Sequence, residues 1–140
     1  MPNFVHDSHY MQRALELAEQ AKAQGEVPIG AVVVLNDKII GEGFNQPIHL
    51  SDPTAHAEII AMRDAAKNTG NYRLAGATLY VTLQPCAMCK AAMVHARIAK
   101  CIYAAKDSSN GSLNHSVAIV QGPLADRASQ LLLEFFQLKR

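Results

Sequence analysis

The sequence predicts a single α/β domain, with a mixed five-stranded sheet and helices packed on its faces. Three observations lead there. Strand-like apolar runs alternate with helical runs in the order αββαβαββα. The chain has 140 residues, 49% hydrophobic and 18% charged, a composition that suits one globular core and not a disordered segment. No internal repeat, low-complexity stretch or linker divides it.

The elements follow in order. The first helix is expected over residues 8–24, SHYMQRALELAEQAKAQ, where Met11, Leu15 and Ala18 share one face. Ser8 suits its N-cap and Gly25 its C-cap. VPIGAVVVL (27–35) has the composition of a strand, Asn36-Asp37 is a turn signal, and KIIGEGFN (38–45) returns as the second arm of a hairpin. QPIHLSDP (46–53) reads as loop, with Pro53 at the first turn of the next helix, where its missing N–H costs nothing. That helix runs through TAHAEIIAMRDAAKN (54–68) and stops near Gly70. ATLYVTL (77–83) is the third strand, CAMCKAAMVHAR (86–97) a helix that opens on cysteines, and AKCIYAA (99–105) the fourth strand. A polar loop, DSSNGSLNHS (107–116), precedes a short fifth strand, VAIVQG (117–122). The closing helix, LADRASQLLLEFFQLKR (124–140), is expected to bury Leu131, Leu132, Phe135 and Phe136.

Bulk properties remove several function classes. A formal net charge of +1 makes any basic surface a local patch and not a property of the whole chain. Three cysteines, an odd and low number, do not form a secreted disulfide framework. The opening MPNFVHDSHYMQ lacks a basic segment followed by an apolar one, and no apolar run approaches the ~20 residues that span a bilayer. The expectation is a cytoplasmic protein with no membrane partner.

The chemistry concentrates in two stretches, TAHAEII (54–60) and QPCAMCK (84–90). Zinc takes Cys thiolates and His nitrogens in a tetrahedron. Structural sites use four protein ligands, and catalytic sites use three and leave one position for water. Cys86 and Cys89 are three apart, so at a helix start both can point to one side. A helix N-terminus also favours the thiolate. His56, at the start of another helix, can supply the third ligand, and no second Cys-x-x-Cys exists to close the site. Three ligands predict one open, catalytic Zn2+ per chain. Glu58, two positions beyond His56, could reach the open position without being a ligand and move protons there.

A lone Cys-x-x-Cys can be a redox pair, and a lone His-x-Glu is usually helix surface. Together, in this order and with Pro85 before the first cysteine, they form the joint signature of a zinc deaminase. Cys101 lies in an apolar strand and reads as core; His6, His9, His49 and His95 read as surface or helix residues.

EVPIGAVVV, GEGFNQPI, DPTAHAEIIAMR, NYRLAGATLYVTLQPCAMCKAAMVHARI and AAKD resemble the bacterial tRNA-specific adenosine deaminases, over about residues 8–107 and again 115–140. The zinc motif alone indicates the cytidine deaminase-like superfamily, and NYRL with the FF of the last helix narrows the resemblance to the tRNA branch. The resemblance implies a three-layer α-β-α fold and hydrolytic conversion of adenosine to inosine at the wobble position of a tRNA anticodon. It implies zinc on His56, Cys86 and Cys89, with Glu58 as proton shuttle. Asn45 would hydrogen-bond the flipped base, the Ala57 backbone with Val27 and Leu83 would frame the pocket, and Asp107 would face the nucleotide backbone. It also implies a homodimer formed through the helices around the zinc, where Ala91, Ala92 and Ala96 would permit close packing.

This chain departs from the family pattern twice. Gln84 stands where the family usually has Glu, and KDSSNGSLNHSVAI is short, lacking a segment with a short helix before the fifth strand. The alternative reading is a deaminase of the same fold acting on single-stranded DNA, a free base or a nucleoside. A more remote one is a zinc-binding module without catalysis, which would have no use for Glu58.

Overall fold

The structure, a computed structural model, describes residues 4–107 and 117–138. The shortened stretch before the fifth strand therefore lies, apart from its ends, outside the described residues.

The elements are α1 (Phe4–Ala23), β1 (Gly30–Leu35), β2 (Lys38–Phe44), α2 (Pro47–Leu50), α3 (Ala57–Thr69), β3 (Thr78–Leu83), α4 (Ala87–Ala96), β4 (Lys100–Ala105), β5 (Ala118–Gln121) and α5 (Ala125–Leu138). The strands form one sheet in the order β2-β1-β3-β4-β5. β1 runs antiparallel to both β2 and β3, whereas β3, β4 and β5 are parallel. The expected mixed five-stranded sheet is what the chain forms.

Alternation along the strands separates two cores. Ala31, Val33, Leu79, Val81, Cys101 and Tyr103 face Ala57, Ala61 and Met62 of α3 and Cys89 and Met93 of α4. Val32, Val34, Tyr80, Ile102 and Ala104 face Met11, Leu15 and Ala18 of α1 and Ala128 and Leu131 of α5. Helices thus cover both faces, and the layers are α-β-α. Met11, Leu79 and Met93 are fully buried, and burial of such side chains stabilises by roughly 1.5–3 kcal/mol each.

The sheet places α3 unusually close. A Cβ on Gly43 would lie 2.6 Å from the Ala61 nitrogen and 2.7 Å from the Ala57 oxygen, and one on Gly41 would meet the Ala61 oxygen at 2.4 Å. Glycines in β2 and alanines in α3 therefore let backbone press on backbone. This sets the height of the helix that carries Glu58.

Local expectations hold at several ends. Asn36 and Asp37 both have positive φ, 52° and 61°, as a two-residue hairpin turn of mirror-image type requires. Gly25 (φ 77°) closes α1: its N–H reaches the Lys22 oxygen, and the Glu26 N–H reaches the Ala21 oxygen. Gly70 closes α3 with φ 70°.

Four expectations are corrected. Ser8 is not an N-cap, because α1 begins at Phe4; its first turn is anchored when the Tyr80 hydroxyl donates to Asp7 at 2.6 Å, a contact across the sequence. Residues 46–53 are not all loop, since Pro47–Leu50 form the single turn α2, closed by Ser51 in the left-handed region. Pro53 lies ahead of α3, not in its first turn. Asp52 Oδ1 accepts both the Thr54 N–H (2.8 Å) and its hydroxyl (2.7 Å), which bends the chain before His56 takes the N-cap. On α5, Leu131 and Phe135 are buried as expected and Leu132 is half-buried, but Phe136 is 53% exposed and only edges against the Phe135 ring.

Candidate active site

His56, Cys86 and Cys89 converge at the start of two helices. His56 is the N-cap of α3 and Cys86 the N-cap of α4, both with extended backbone (ψ 155° and 173°). Neither side chain caps its own helix. Both are turned instead toward one point. His56 Nδ1 lies 3.6 Å from Cys86 Sγ and 3.5 Å from Cys89 Sγ. All three ligand atoms lie within 4.8 Å of one another. Tetrahedral zinc with bonds of about 2.0 Å to nitrogen and 2.3 Å to sulfur separates N and S by about 3.5 Å, so this donor set fits zinc in both type and spacing.

The site sits where the parallel strands end. β3 runs into Cys86, and β4 runs into Asp107, so the pocket opens beyond the carboxyl ends of adjacent parallel strands, the usual place for a ligand in an open α/β sheet. A small cavity of about 120 Å³ is lined by Ile29, His56, Glu58, Leu83, Gln84, Cys86 and Asp107. That is well below the ~300–1,000 Å³ of a pocket for a drug-sized molecule. It suits one planar group, with the rest of a larger substrate left outside.

Glu58 is 4% exposed, in the first turn of α3. Burial pushes its carboxyl up to about 7, against the opposing pull of its own backbone N–H and of Cys89. A carboxyl poised there can both accept and release a proton near neutral pH. Among the described residues, the group able to hold a metal is His56, Cys86 and Cys89, and Glu58 is not part of it.

Cys89 departs from the expectation that its place at a helix N-terminus favours the thiolate. Burial, with Glu58 and Cys86 close by, pushes its thiol far above the ordinary range. What separates this pair from a redox pair is the third donor, since both sulfurs lie within 3.6 Å of His56 Nδ1. A metal deprotonates a coordinating thiol outright. Cys101, 0% exposed, is a core residue, as its strand predicts.

The remaining expected residues divide. Leu83 and Asp107 line the cavity. Asn45, 7% exposed, meets the site through Ala57: its Oδ1 accepts the Ala57 N–H at 2.9 Å. Val27 is half-buried and is not among the lining residues; Ile29 takes that wall. The Ile29 N–H reaches back to the Val27 oxygen at 2.8 Å, a tight reversal over Pro28 that redirects the chain before β1. Pro28 was the only sign of it in the sequence. Gln84 has a definite role: its Oε1 accepts the Asp107 N–H at 3.1 Å, while its own N–H donates to the Ala105 oxygen. An uncharged acceptor meets that need, so glutamine joins the ends of β3 and β4 without a negative charge beside the metal ligands.

With this geometry in place, comparison with known proteins places the chain. Residues 5–105 match the family described as the cytidine and deoxycytidylate deaminase zinc-binding region. The tRNA-specific adenosine deaminase of Haemophilus influenzae is 48% identical over 147 residues, covering 96% of this chain and 85% of the relative. That span exceeds the 140 residues here, so the relative carries residues this chain lacks. The tRNA-specific adenosine deaminase of Buchnera aphidicola subsp. Baizongia pistaciae is 44% identical, covering 97% and 93%. A solved structure from a study of A-to-I editing by tRNA:A34 deaminases at the wobble position of transfer RNA superposes with a TM-score of 0.85 at 39% identity, covering 89% of this chain and 99% of that one. The chain thus belongs to the zinc-dependent cytidine and deoxycytidylate deaminase family, in the branch of the tRNA-specific adenosine deaminases.

Proposed function

We propose that this protein is a zinc-dependent hydrolase that converts adenosine to inosine at the wobble position of a tRNA anticodon. The observation that carries the reading is the donor set at zinc spacing with a buried carboxyl beside it, in a chain that matches tRNA-specific adenosine deaminases over nearly its whole length. His56, Cys86 and Cys89 would hold zinc, which when bound would supply the Lewis acidity that makes water nucleophilic near neutral pH. Glu58 takes one proton from the attacking water to N1 of the base and then carries the second, from the new C6 hydroxyl, to the N6 amine. A C6–O bond forms, the C6–N6 bond breaks, and ammonia leaves. Asn45 holds the Ala57 amide in place and turns its own amide group to the base, and Leu83 and Ile29 pack its faces. Asp107 lies at the cavity's edge, where the sugar of a seated nucleotide would come.

A cavity sized for one base requires the nucleotide to leave its stack, and an anticodon loop presents such a base at little cost. The protein therefore works where tRNA is, in the cytoplasm; among the described residues no helix is long and apolar enough to cross a membrane. The test is a side-by-side assay on an anticodon stem-loop, single-stranded deoxyadenosine-containing DNA and free adenosine. The stem-loop should give the highest kcat/KM by roughly two orders of magnitude or more, since only it fills the surfaces around the cavity. Equal rates on free adenosine would overturn the tRNA reading in favour of a nucleoside deaminase.

The working unit is a homodimer in this reading. Ala91 is exposed, and Ala92 and Ala96 line an apolar groove between α3 and α4 with Ile59, Met62 and Leu74. These alanines are therefore not all spent on packing against the sheet. Sedimentation at micromolar concentration should show twice the 15.2 kDa chain mass; a species of 15.2 kDa alone would refute the dimer.

A further inference from the structure

Glu26 is 2% exposed, yet it is an acid on no catalytic element. It lies just after α1, where the chain turns toward β1. Its carboxylate reaches across to α2. Oε2 accepts the His49 backbone N–H at 2.8 Å and lies 3.1 Å from His49 Nδ1, and Oε1 accepts the Ile48 N–H at 3.3 Å. Burial acts to raise this carboxyl, but the hydrogen bonds from the His49 amide and ring and from the Ile48 amide outweigh it and hold the group below the ordinary carboxylate range. Such an acid is in place as a charged acceptor.

The element it holds has little else to fix it. α2 is four residues long and buries none of them, too short to be stable by its own hydrogen bonds. It presents Ile48 at 72% exposure and Leu50 at 50%. Its position in the chain gives this weight. The segment runs from Asn45, which fixes Ala57, to His56, which holds metal; the Gln46 N–H pairs with the Ala55 oxygen to close the two ends. From Glu26 the chain continues to Ile29, whose oxygen accepts the Asn45 N–H at 3.0 Å and whose side chain lines the cavity. One buried carboxylate therefore ties together the two segments that border the cavity.

We propose that Glu26 is a positioning residue for substrate binding: through its bonds to Ile48 and His49 it fixes α2 as an apolar rim against which the nucleotides flanking the target adenosine pack. The proposal rests on the deaminase reading above. It follows from the size of the cavity, which admits a base and leaves the flanking nucleotides to surrounding surface, and from α2, which presents Ile48 and Leu50 to solvent in the segment that leads to the lining residue His56. Glu26 touches neither the zinc ligands nor the base, so its effect is on KM and not on the chemical step.

The test compares the zinc-loaded wild type with Glu26→Gln and His49→Ala on an anticodon stem-loop. Glu26→Gln keeps the shape but places a donor against donors, and loss of charge-assisted bonds of this kind corresponds to roughly tenfold. The expected result is a KM raised about tenfold, with kcat within about twofold and zinc content unchanged. His49→Ala removes only the ring contact and should raise KM by about twofold to threefold. Amide hydrogen exchange gives the second measurement. In Glu26→Gln the amides of Ile48 and His49 should exchange at least about tenfold faster, while those of β1 and β3 keep wild-type protection. An unchanged KM in Glu26→Gln overturns the proposal. So does faster exchange throughout the sheet with kcat lowered and KM unchanged, which would make Glu26 a general fold residue. A wild type that does not deaminate the stem-loop overturns the functional reading itself, a result distinct from either.

Discussion

Glu58→Ala is expected to lower kcat for deamination by at least ~10²–10⁴-fold, the range that a positioned general acid–base group supplies, while the protein keeps one zinc per chain. The separation of the two effects follows from geometry. The atoms able to hold a metal are those of His56, Cys86 and Cys89, within 4.8 Å of one another, and Glu58 is not part of that group. The carboxyl is buried in the first turn of α3 and in contact with Cys89, so it is placed to pass protons at the metal's open position. One residue would serve the attacking water, the ring and the leaving amine, so the loss should lie at the upper end of that range. Glu58→Gln sharpens the test. It conserves volume and a hydrogen-bonding oxygen but cannot carry the proton, and it should be as inactive as the alanine variant. Kinetics on the stem-loop with parallel metal analysis decide the matter. Near-wild-type turnover in either variant would remove Glu58 from the reaction, and loss of zinc would make it a ligand.

Much of this was legible in the sequence because the signals are local and periodic. A β-branched run marked β1, short apolar runs marked the other strands, Asn36-Asp37 announced a hairpin turn, and the His-x-Glu and Pro-Cys-x-x-Cys spacings put His56 and Cys86 at helix starts, where the structure has them. What was missed depends on contacts between distant residues. Nothing in SHYMQRAL reveals that Asp7 is fixed by Tyr80, 73 positions away, so the start of α1 was placed too late. The turn before α3 is set by the Asp52 side chain closing on Thr54, which outweighs the preference of Pro53 for a first helical turn. Ile29 comes to the cavity wall through one tight reversal over Pro28, a local turn that the strand-like composition of 27–35 hides. Glu26 carried no signal at all. An acid before a strand looks like surface until the fold brings α2 over it.

The second large effect concerns two cysteines that burial alone does not distinguish. Cys89 and Cys101 are both 0% exposed, and burial pushes both thiols far above the ordinary range. Only Cys89 has its sulfur 3.5 Å from His56 Nδ1. Cys89→Ala should therefore bind less than a tenth of the wild-type zinc under the same dialysis, because two ligands remain where a catalytic zinc needs three. Its activity should fall by at least ~10³-fold, since without the metal neither water activation nor the arrangement around it is available. Cys101→Ala should keep one zinc per chain and most of its activity, with a stability loss on the order of 1 kcal/mol for a small buried side chain cut back by one heavy atom. The comparison has the same residue type, the same burial and the same substitution in each arm, so packing cannot account for a difference in metal content. Equal zinc in the two variants would show that Cys89 is a core residue like Cys101, and the metal site would have to be rebuilt on other ligands.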